Sequence, residues 1–579
     1  MSFEVVIIGA VAAGPKAGCR IKRLRPDAHV VMLDKDDFVS YGGCGIPFYV
    51  SGDVGELKGL LSTSYHMVRD IGFFKNVKGI DVQNATEAIF VDRKAKKVRT
   101  RPAAGGPERE LSYDKLVLAT GSIPVIPPVP GVELAGVFPV ADLHQAQAIK
   151  KMVSQGQVEH AAIVGAGAIG LEMAEALSDL WGIEVHLFDQ APQLLPGLLD
   201  VDFARMLEAH LAQKEEIHLH LNAPLQAILD DGQGRVRAVK AADQEYPADL
   251  VIMACGVRPN AALAKAAGLR LWENGAIWVD EFMQTSDADI YAGGDCVSLP
   301  GLFTDKPMYL ASGSLANRQG RVIGTNLCGG REAFPRPVGS FCLKLFGLSV
   351  ARAGLNPDQA AKAGLKAIAP MVVQADRAHF HPDHKLMYLK LLVEEKTRRV
   401  LGITALGENG DAVAGRVNAI AGMMPLGARL EDVANLELCY SPPLGAAMDI
   451  LNTAANAAEN MLAGRLRPLG FEEFRRRLAE REDGKTVFVD VRSNQNVAPY
   501  LAHLAPHWMH LPQDDLAKRL GEVPRNKDVI LVCNTGGRSY EAQVVLDAAG
   551  IKNTRNLGGG VAAIHKWGEP ILPAPPDEE

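Results

Sequence analysis

The 579-residue sequence is short of everything that marks a membrane protein, a secreted disulfide scaffold or a nucleic-acid binder. No apolar run reaches the roughly 18 residues that a spanning helix needs. Positive charge is not in excess. The 61 Lys and Arg against 68 Asp and Glu leave a net charge of −7, which offers no electrostatic footprint for nucleic acid or an anionic membrane. The start, Met1-Ser2-Phe3-Glu4 and then Val5-Val6-Ile7-Ile8, lacks the basic residues and longer apolar stretch of a secretory leader, so a cytoplasmic location is expected. The eight cysteines show no paired spacing for a disulfide framework, and no CxxC or Cys/His spacing for zinc, so no metal is expected. Any cysteine with a task is then expected to be a reactive thiol. What remains is an ordinary globular composition, 47% apolar and 22% charged, on a chain long enough for roughly three to five domains.

Two stretches carry the same pattern. The strand Val5–Ile8 runs into Gly9-Ala10-Val11-Ala12-Ala13-Gly14 and a helix, and a second strand, Val30–Leu33, closes on Asp34. In this order, backbone N–H groups at a helix N-terminus can face a pyrophosphate, and the acid can accept from ribose hydroxyls. Val11 stands where the middle glycine lets the backbone approach closest, so this copy also reads as a plain structural βαβ turn. The second copy is complete. Ala161–Val164 leads into Gly165-Ala166-Gly167-Ala168-Ile169-Gly170, a helix through Glu172 and Glu175, the strand Val185–Phe188 and the acid Asp189. Gln190 and Ala191 follow, with no Arg or Lys to hold a 2′-phosphate, which favours NADH over NADPH. Leu116–Leu118 with Ala119-Thr120-Gly121 reads as a buried strand ending at a crossover, and Asp289–Asp295 as a strand delivering an acid into a turn.

Together these motifs resemble the flavin- and nicotinamide-dependent disulfide reductase superfamily over about residues 1 to 460. The resemblance implies FAD in the first fold and NAD(P)H in the second. The residues expected at the cofactors are Gly9, Gly14, Asp34, Ser40, Thr120, Gly121 and Asp295, then Gly165, Gly167, Gly170, Glu172 and Asp189. Within this set Asp295 is expected at the FAD ribityl chain and Glu172 near the nicotinamide.

Many superfamily members carry a CxxxxC redox pair. Here the segment reads Ser40-Tyr41-Gly42-Gly43-Cys44-Gly45-Ile46-Pro47-Phe48-Tyr49, with tyrosine in the second cysteine's place. A lone thiol closes no internal disulfide, but it can form a mixed disulfide, a persulfide or a sulfenic acid. Pro47 suits the first turn of a helix beginning near Cys44, whose N-terminus would lower the thiol pKa. The alternative is a small buried hydrophobe. The stretch resembles the coenzyme A-disulfide reductase branch and its single-cysteine relatives, the NADH oxidases and peroxidases, although Gly43 replaces the usual asparagine. The resemblance implies that Arg20 and Arg23, in a basic helix with Lys16 and Lys22, meet the phosphates of coenzyme A; a solvated helix face is the other reading. It also implies a dimer in which Tyr440, in Leu438-Cys439-Tyr440-Ser441-Pro442-Pro443-Leu444, reaches the partner's catalytic sulfur, where a phenol could donate a proton. Otherwise Tyr440 is a turn aromatic. The family's second tyrosine is replaced around Phe380-His381-Pro382, its role being either lost or taken over by His381, and the Ala-rich run 446–463 reads as a closely packed helix.

Beyond Gly464–Gly470 another α/β pattern begins. The strand Val487–Val489 ends in Asp490-Val491-Arg492, and the strand Val529–Val532 ends in Cys533-Asn534-Thr535-Gly536-Gly537-Arg538-Ser539, before a helix expected from Tyr540. A cysteine at a strand end, facing a ring of backbone N–H groups with Arg538 adding charge, suits a thiolate or a terminal persulfide sulfur. With Asn556-Leu557-Gly558-Gly559-Gly560, this closely resembles a rhodanese domain over about residues 470 to 573. A phosphatase loop has five residues between its Cys and Arg rather than four, and an inactive rhodanese domain is a further possibility.

The expected fold is therefore α/β: two Rossmann-like dinucleotide-binding folds (1–118 with 262–330 for FAD, 119–261 for NAD(H)), an α+β dimerisation domain (331–464) and a rhodanese-like α/β domain (470–573). The expected activity is NADH-dependent reduction of coenzyme A disulfide, coenzyme A persulfide or polysulfide. Cys44, Cys533, Tyr440 and Arg538 are the expected catalytic residues, and the partners are small persulfide or disulfide substrates and a second copy of the chain. An NADH oxidase or peroxidase cycling through sulfenic acid, and a sulfur-trafficking or sensing flavoprotein, are the alternatives.

Overall fold

A computed structural model describes residues 3–569 and residue 571, so the expected outer limits at residues 1 and 573 lie outside the described residues. The chain divides into two compact units: residues up to 192 with 216–337, and 193–215 with those from 338 on. Eight helices frame the sites: α1 (Ala13–Leu24), α2 (Ile46–Ser51), α3 (Ala168–Ser178), α4 (Val201–Leu211), α5 (Gly313–Leu327), α6 (Ile450–Leu462), α7 (Gly537–Ala548) and α8 (Gly560–Lys566).

The first unit holds two parallel five-stranded sheets. One runs Ile290–Ala292, Lys115–Leu118, Glu4–Ile8, His29–Leu33, Asp81–Gln83; the other Ile217–His220, Glu184–Phe188, His160–Val164, Leu250–Met253, Val137–Phe138. Their central strands, such as Glu4–Ile8, Lys115–Leu118 and Leu250–Met253, are rich in apolar residues because both faces are covered there. Ile7, Met32, Leu33 and Leu116 are fully buried in the first, and Ile163, Leu187 and Ile252 in the second. A short antiparallel pair, Ser122–Pro124 with Val257–Pro259, crosses between them. This is the crossover expected after Gly121. Helix α1 lies directly against α5, where a Cβ at Gly320 would meet the Ala13 carbonyl oxygen at 2.3 Å.

The second unit holds an antiparallel sheet and a parallel one. The antiparallel sheet runs Phe341–Leu345, Leu348–Gly354, Val400–Gly407, Leu386–Glu394, Ala367–Ile368, with Met371–Ala375 also pairing to Leu386–Glu394. The parallel sheet runs Pro468–Leu469, Thr554–Leu557, Asp528–Val532, Thr486–Asp490, Trp508–His510. Helix α6 begins at Ile450 rather than Ala446, because the carboxylate of Asp449 caps it by accepting from the Leu451 N–H. Among the described residues no helix is long and apolar enough to cross a membrane.

Helix α4 belongs with the second unit for an electrostatic reason. Its cap Asp200 and first-turn Asp202 lie 3.2 and 2.5 Å from the Lys390 ammonium, which is only 12% exposed. Lys390→Met strips the cation from two adjacent carboxylates, a loss worth about 3–5 kcal/mol for a buried network. Hydrogen exchange should then accelerate across residues 193–215 before the rest of the unit; uniform exchange would refute this anchor.

Candidate functional site

The two glycine turns are near-copies in space. Gly9 and Gly165 have φ of +109° and +112°, open only to glycine without strain, and their N–H groups donate to Leu33 O and Phe188 O. A Cβ at Gly14 or Gly170 would sit 1.9 Å from the carbonyl oxygen of Gly9 or Gly165, so both third glycines are obligatory for the helix to start so close to the strand. At Gly167 a Cβ meets nothing within 4 Å. The protein itself therefore tolerates a side chain there, as at Val11 in the first copy, and the middle glycine matters only for a ligand that comes close. Each turn is held by its acid. Asp34 accepts from Ala10 N–H at 2.7 Å and Asp36 N–H at 3.0 Å; Asp189 accepts from Ala166 N–H and Ala191 N–H, both at 2.7 Å.

Around the first turn the expected residues gather as follows. Ser40 is buried, takes a positive φ of 50°, and donates its N–H to Ala10 O at 2.7 Å. Thr120 and Asn260 lock the crossover, Thr120 Oγ1 donating to Asn260 O and Asn260 Nδ2 to Thr120 O. A Cβ at Gly121 would meet nothing within 4 Å. Asp295 accepts from Ser312 N–H at 3.2 Å and from Ser122 Oγ at 3.3 Å, and burial raises its pKa. Sequence reasoning missed Tyr309, whose buried hydroxyl near Asp295 has no hydrogen-bond partner. Open space beside obligatory turns, two desolvated acids and an orphaned hydroxyl fit a bound dinucleotide.

Cys44 is exposed and lies in a short 3₁₀ turn, Gly43–Gly45, ahead of α2. The expected helix N-terminus at the sulfur is not that of α2, which is six residues long and starts two residues later. It is that of α5: a methyl group at Gly313 would come 3.9 Å from Sγ, and the Gly313 N–H favours the thiolate. The expected lowering of the thiol pKa does not occur. Burial pushes it up, with Glu172 and then Asp295 adding negative charge nearby. Glu172 on α3 is itself raised to about 7, by burial and by Glu175. Tyr49, in the second cysteine's place, is buried with the Lys150 ammonium 4.0 Å from its ring centre.

On α1, Arg20 donates from Nε to Thr325 Oγ1 at 3.0 Å, while Arg23 is exposed. Lys22 is committed elsewhere, to the carbonyls of Pro26 and Ala28. In the second unit Tyr440 is 52% exposed on a loop beside Phe380 and His381, the two loops being joined by Ala378 N–H donating to Pro442 O. This chain alone therefore surrounds neither Tyr440 nor Phe380.

Cys533 has the opposite setting. It is 1% exposed, and its sulfur accepts from Gly536 N–H at 3.1 Å and Ser539 N–H at 3.3 Å, with Ser539 Oγ at 3.4 Å. Helix α7 starts at Gly537, three residues before the expected Tyr540, because the cradle is itself the helix's N-terminal turn. The Cys533 and Asn534 carbonyls take the Val561 and Ala562 N–H groups of α8. Arg538 is half-buried in the first turn of α7. The cation bonded to the loop is Arg492, which reaches Asn534 Oδ1 at 3.5 Å and is pinned by the fully buried Asp490 at 2.7 Å.

The chain matches three family models: pyridine nucleotide-disulphide oxidoreductase over residues 3–319, its dimerisation domain over 342–451, and a rhodanese-like domain over 472–566. It is 36% identical to an NADH oxidase of Methanocaldococcus jannaschii, covering 80% of this chain and 100% of that one. It is 34% identical to a CoA-dependent NAD(P)H sulfur oxidoreductase of Pyrococcus furiosus, covering 77% and 97%. A solved NAD-dependent persulfide reductase from A. fulgidus superposes with a TM-score of 0.90 at 39% identity, covering 97% of this chain and 100% of that one.

Two measurements check this geometry. Gly170→Ala should lower thermal stability, whereas Gly167→Ala should leave the melt unchanged and raise the KM for NADH; equal behaviour would refute the reading of the turn. For Glu172, the raised pKa means that stability is present at low pH and lost as pH rises through about 7. Glu172→Gln should therefore gain melting temperature on the parent above pH 7. It should also move the pH profile of Cys44 alkylation to lower pH by about half to one unit. An unmoved profile would show the two groups to be uncoupled.

Proposed function

The chain belongs to the pyridine nucleotide-disulphide oxidoreductase family, and on that premise we propose that it is an FAD-dependent reductase using NADH to cleave the S–S bond of coenzyme A disulfide, coenzyme A persulfide or polysulfide. The observation that carries this reading is one lone sulfur, Cys44, at the N-terminus of α5, on the same chain as a second sulfur cradled by a rhodanese-like loop. The names of two relatives, a CoA-dependent sulfur oxidoreductase and a persulfide reductase, support it.

Gly9, Gly14, Asp34, Ser40, Thr120, Gly121 and Asp295 hold FAD, and Gly165, Gly167, Gly170 and Asp189 hold NADH. Gln190 and Ala191 leave no cation for a 2′-phosphate, which supports NADH over NADPH. When bound, FAD relays the two electrons of NADH to sulfur. The Cys44 thiolate attacks the substrate's S–S bond, forming a mixed disulfide on Cys44 and expelling a thiolate or hydrosulfide, which takes up a proton. Glu172, protonated below about pH 7, stands close enough to influence that charge. Arg20 and Arg23 offer cations to the phosphates of coenzyme A. The match to a dimerisation domain supports a homodimer, and in that dimer we place Tyr440 of one chain near Cys44 of the other. Cys533 accepts sulfane sulfur, its charge spread onto the Gly536 and Ser539 N–H groups.

The name of the M. jannaschii relative favours a second reading, an NADH oxidase working through Cys44 sulfenic acid. NADH turnover with coenzyme A disulfide, polysulfide and peroxide distinguishes the two. The sulfur substrates should dominate, and a preference for peroxide by orders of magnitude would overturn the assignment. Negligible turnover with every sulfur substrate would point instead to a trafficking or sensing flavoprotein. Cys44→Ser should abolish reduction of coenzyme A disulfide. Cys533→Ser should remove sulfur transfer from thiosulfate or persulfide while sparing that reduction; equal loss of both activities would make the C-terminal module an obligatory relay.

A further inference from the structure

Residues that look unrelated along the chain meet on one face of the second dinucleotide-binding sheet. The parallel register sets His160 beside Glu184 and His186 beside His218. Because alternate residues of a strand share a face, Glu184 and His186 project together, and His218 stands next to them on the edge strand. Glu184 Oε1 lies 3.4 Å from His186 Nε2 and 3.1 Å from His218 Nε2, and Glu184 Oε2 lies 3.3 Å from His160 Nδ1. The His160 Nδ1 atom is buried and makes no hydrogen bond.

From this geometry we propose a transition-metal site, with Glu184, His186 and His218 as ligands and zinc as the ion it suits best. A tetrahedral Zn²⁺ with bonds of about 2.0–2.1 Å holds its ligand atoms about 3.3 Å apart, close to the separation of Glu184 Oε1 from each imidazole Nε2, and the three ligand atoms all lie within 4.8 Å of one another. Imidazole and carboxylate donors select zinc, nickel or copper and disfavour calcium or magnesium, which take oxygen ligands. The surroundings are built to aim one ligand. His186 Nδ1 is 3.0 Å from His220 Nε2, so an Nδ1–H donated to His220 turns the Nε2 lone pair toward the Glu184 oxygen. In that tautomer two acceptors face each other and a cation between them satisfies both, and a partner on the far ring nitrogen is how ligating histidines are held. The His186 ring also stacks on His218 and packs against Tyr246.

His186 is 13% exposed, His218 41% and Glu184 43%, so an ion there keeps one position open to water, with His160 as the adjacent donor. It would tie the edge strand Ile217–His220 to the strand that delivers Asp189, bracing the sheet from the side. Sequence spacing gives no hint of it, because the ligands come from two strands some 30 residues apart in the chain.

The test uses FAD-loaded full-length protein, stripped with a chelator, its thiols blocked with N-ethylmaleimide so that cysteines do not compete for metal. Calorimetric titration with Zn²⁺ should show one equivalent per chain at micromolar affinity or tighter, with a rise in melting temperature. His218→Gln and Glu184→Gln should each lose that equivalent while keeping full FAD content and, unblocked and metal-free, NADH-dependent reduction of coenzyme A disulfide. Absence of saturable binding in the parent protein, or an undiminished equivalent in either folded variant, would overturn the proposal.

Discussion

A thiol is placed at residue 44 under two opposed fields, and the chemistry depends on how they balance. The N-terminus of α5 offers the Gly313 N–H and its share of helix dipole, which stabilise a thiolate. Burial and the carboxylates of Glu172 and Asp295 pull the other way and win, leaving the thiol above its ordinary pKa. A high-pKa thiol is mostly protonated at neutral pH, but each thiolate it yields is a strong nucleophile toward sulfur. Such a site is paced by whatever supplies positive charge or removes the proton. For that reason the neighbours of Cys44 matter as much as Cys44 itself.

The same constraint explains why the chain builds its glycine turn twice. In both copies the third glycine is forced by contact with a carbonyl of the first, and an acid anchors the turn by accepting from its N–H groups. The copies differ where a ligand rather than the protein sets the requirement: Val11 against Gly167, and Thr120 against Cys255 at the ends of corresponding strands. Thr120 is engaged with Asn260, while the Cys255 thiol donates weakly to Val164 O at 3.4 Å and is pushed up to about 11, chiefly by burial. One scaffold thus recurs with different side chains at corresponding positions.

What could be read from sequence follows the range over which each feature is determined. The turns, the two strand-end acids and the Cys533 loop are local patterns of under about 35 residues, and the strands around them lie within a residue or two of the expected positions. Features made by distant segments were not legible. The helix end facing Cys44 comes from residue 313, so the local reading credited α2 and expected the wrong sign for the pKa. The cation bonded to the Cys533 loop is Arg492, from a neighbouring strand end, whereas the local motif pointed to Arg538. Helix α7 begins early because Gly536, at φ +97°, turns the chain directly into it. No residue pattern near Tyr540 carries that information.

The surroundings of the two sulfurs differ in kind. Cys44 is solvent-accessible, flanked by carboxylates and served by the helix N-terminus through a single backbone N–H. That setting disfavours a resting anion and makes each thiolate that does form a strong nucleophile toward sulfur. Cys533 is buried in a cradle where the Gly536 and Ser539 N–H groups donate to the sulfur, while Ser539 Oγ accepts from the thiol and itself donates to Gly536 O. Fixed donors at hydrogen-bond distance suit a terminal persulfide sulfur, since their orientation is set by folding and costs nothing at the moment of transfer. In the proposed scheme the two environments are not interchangeable: a stabilised thiolate at residue 44 would attack sulfur more weakly, and an unprotected persulfide at Cys533 would be open to any passing thiol. On the proposed function, reduction and sulfur carriage call for two differently built sulfur sites, and the electrostatics of sulfur itself is the reason.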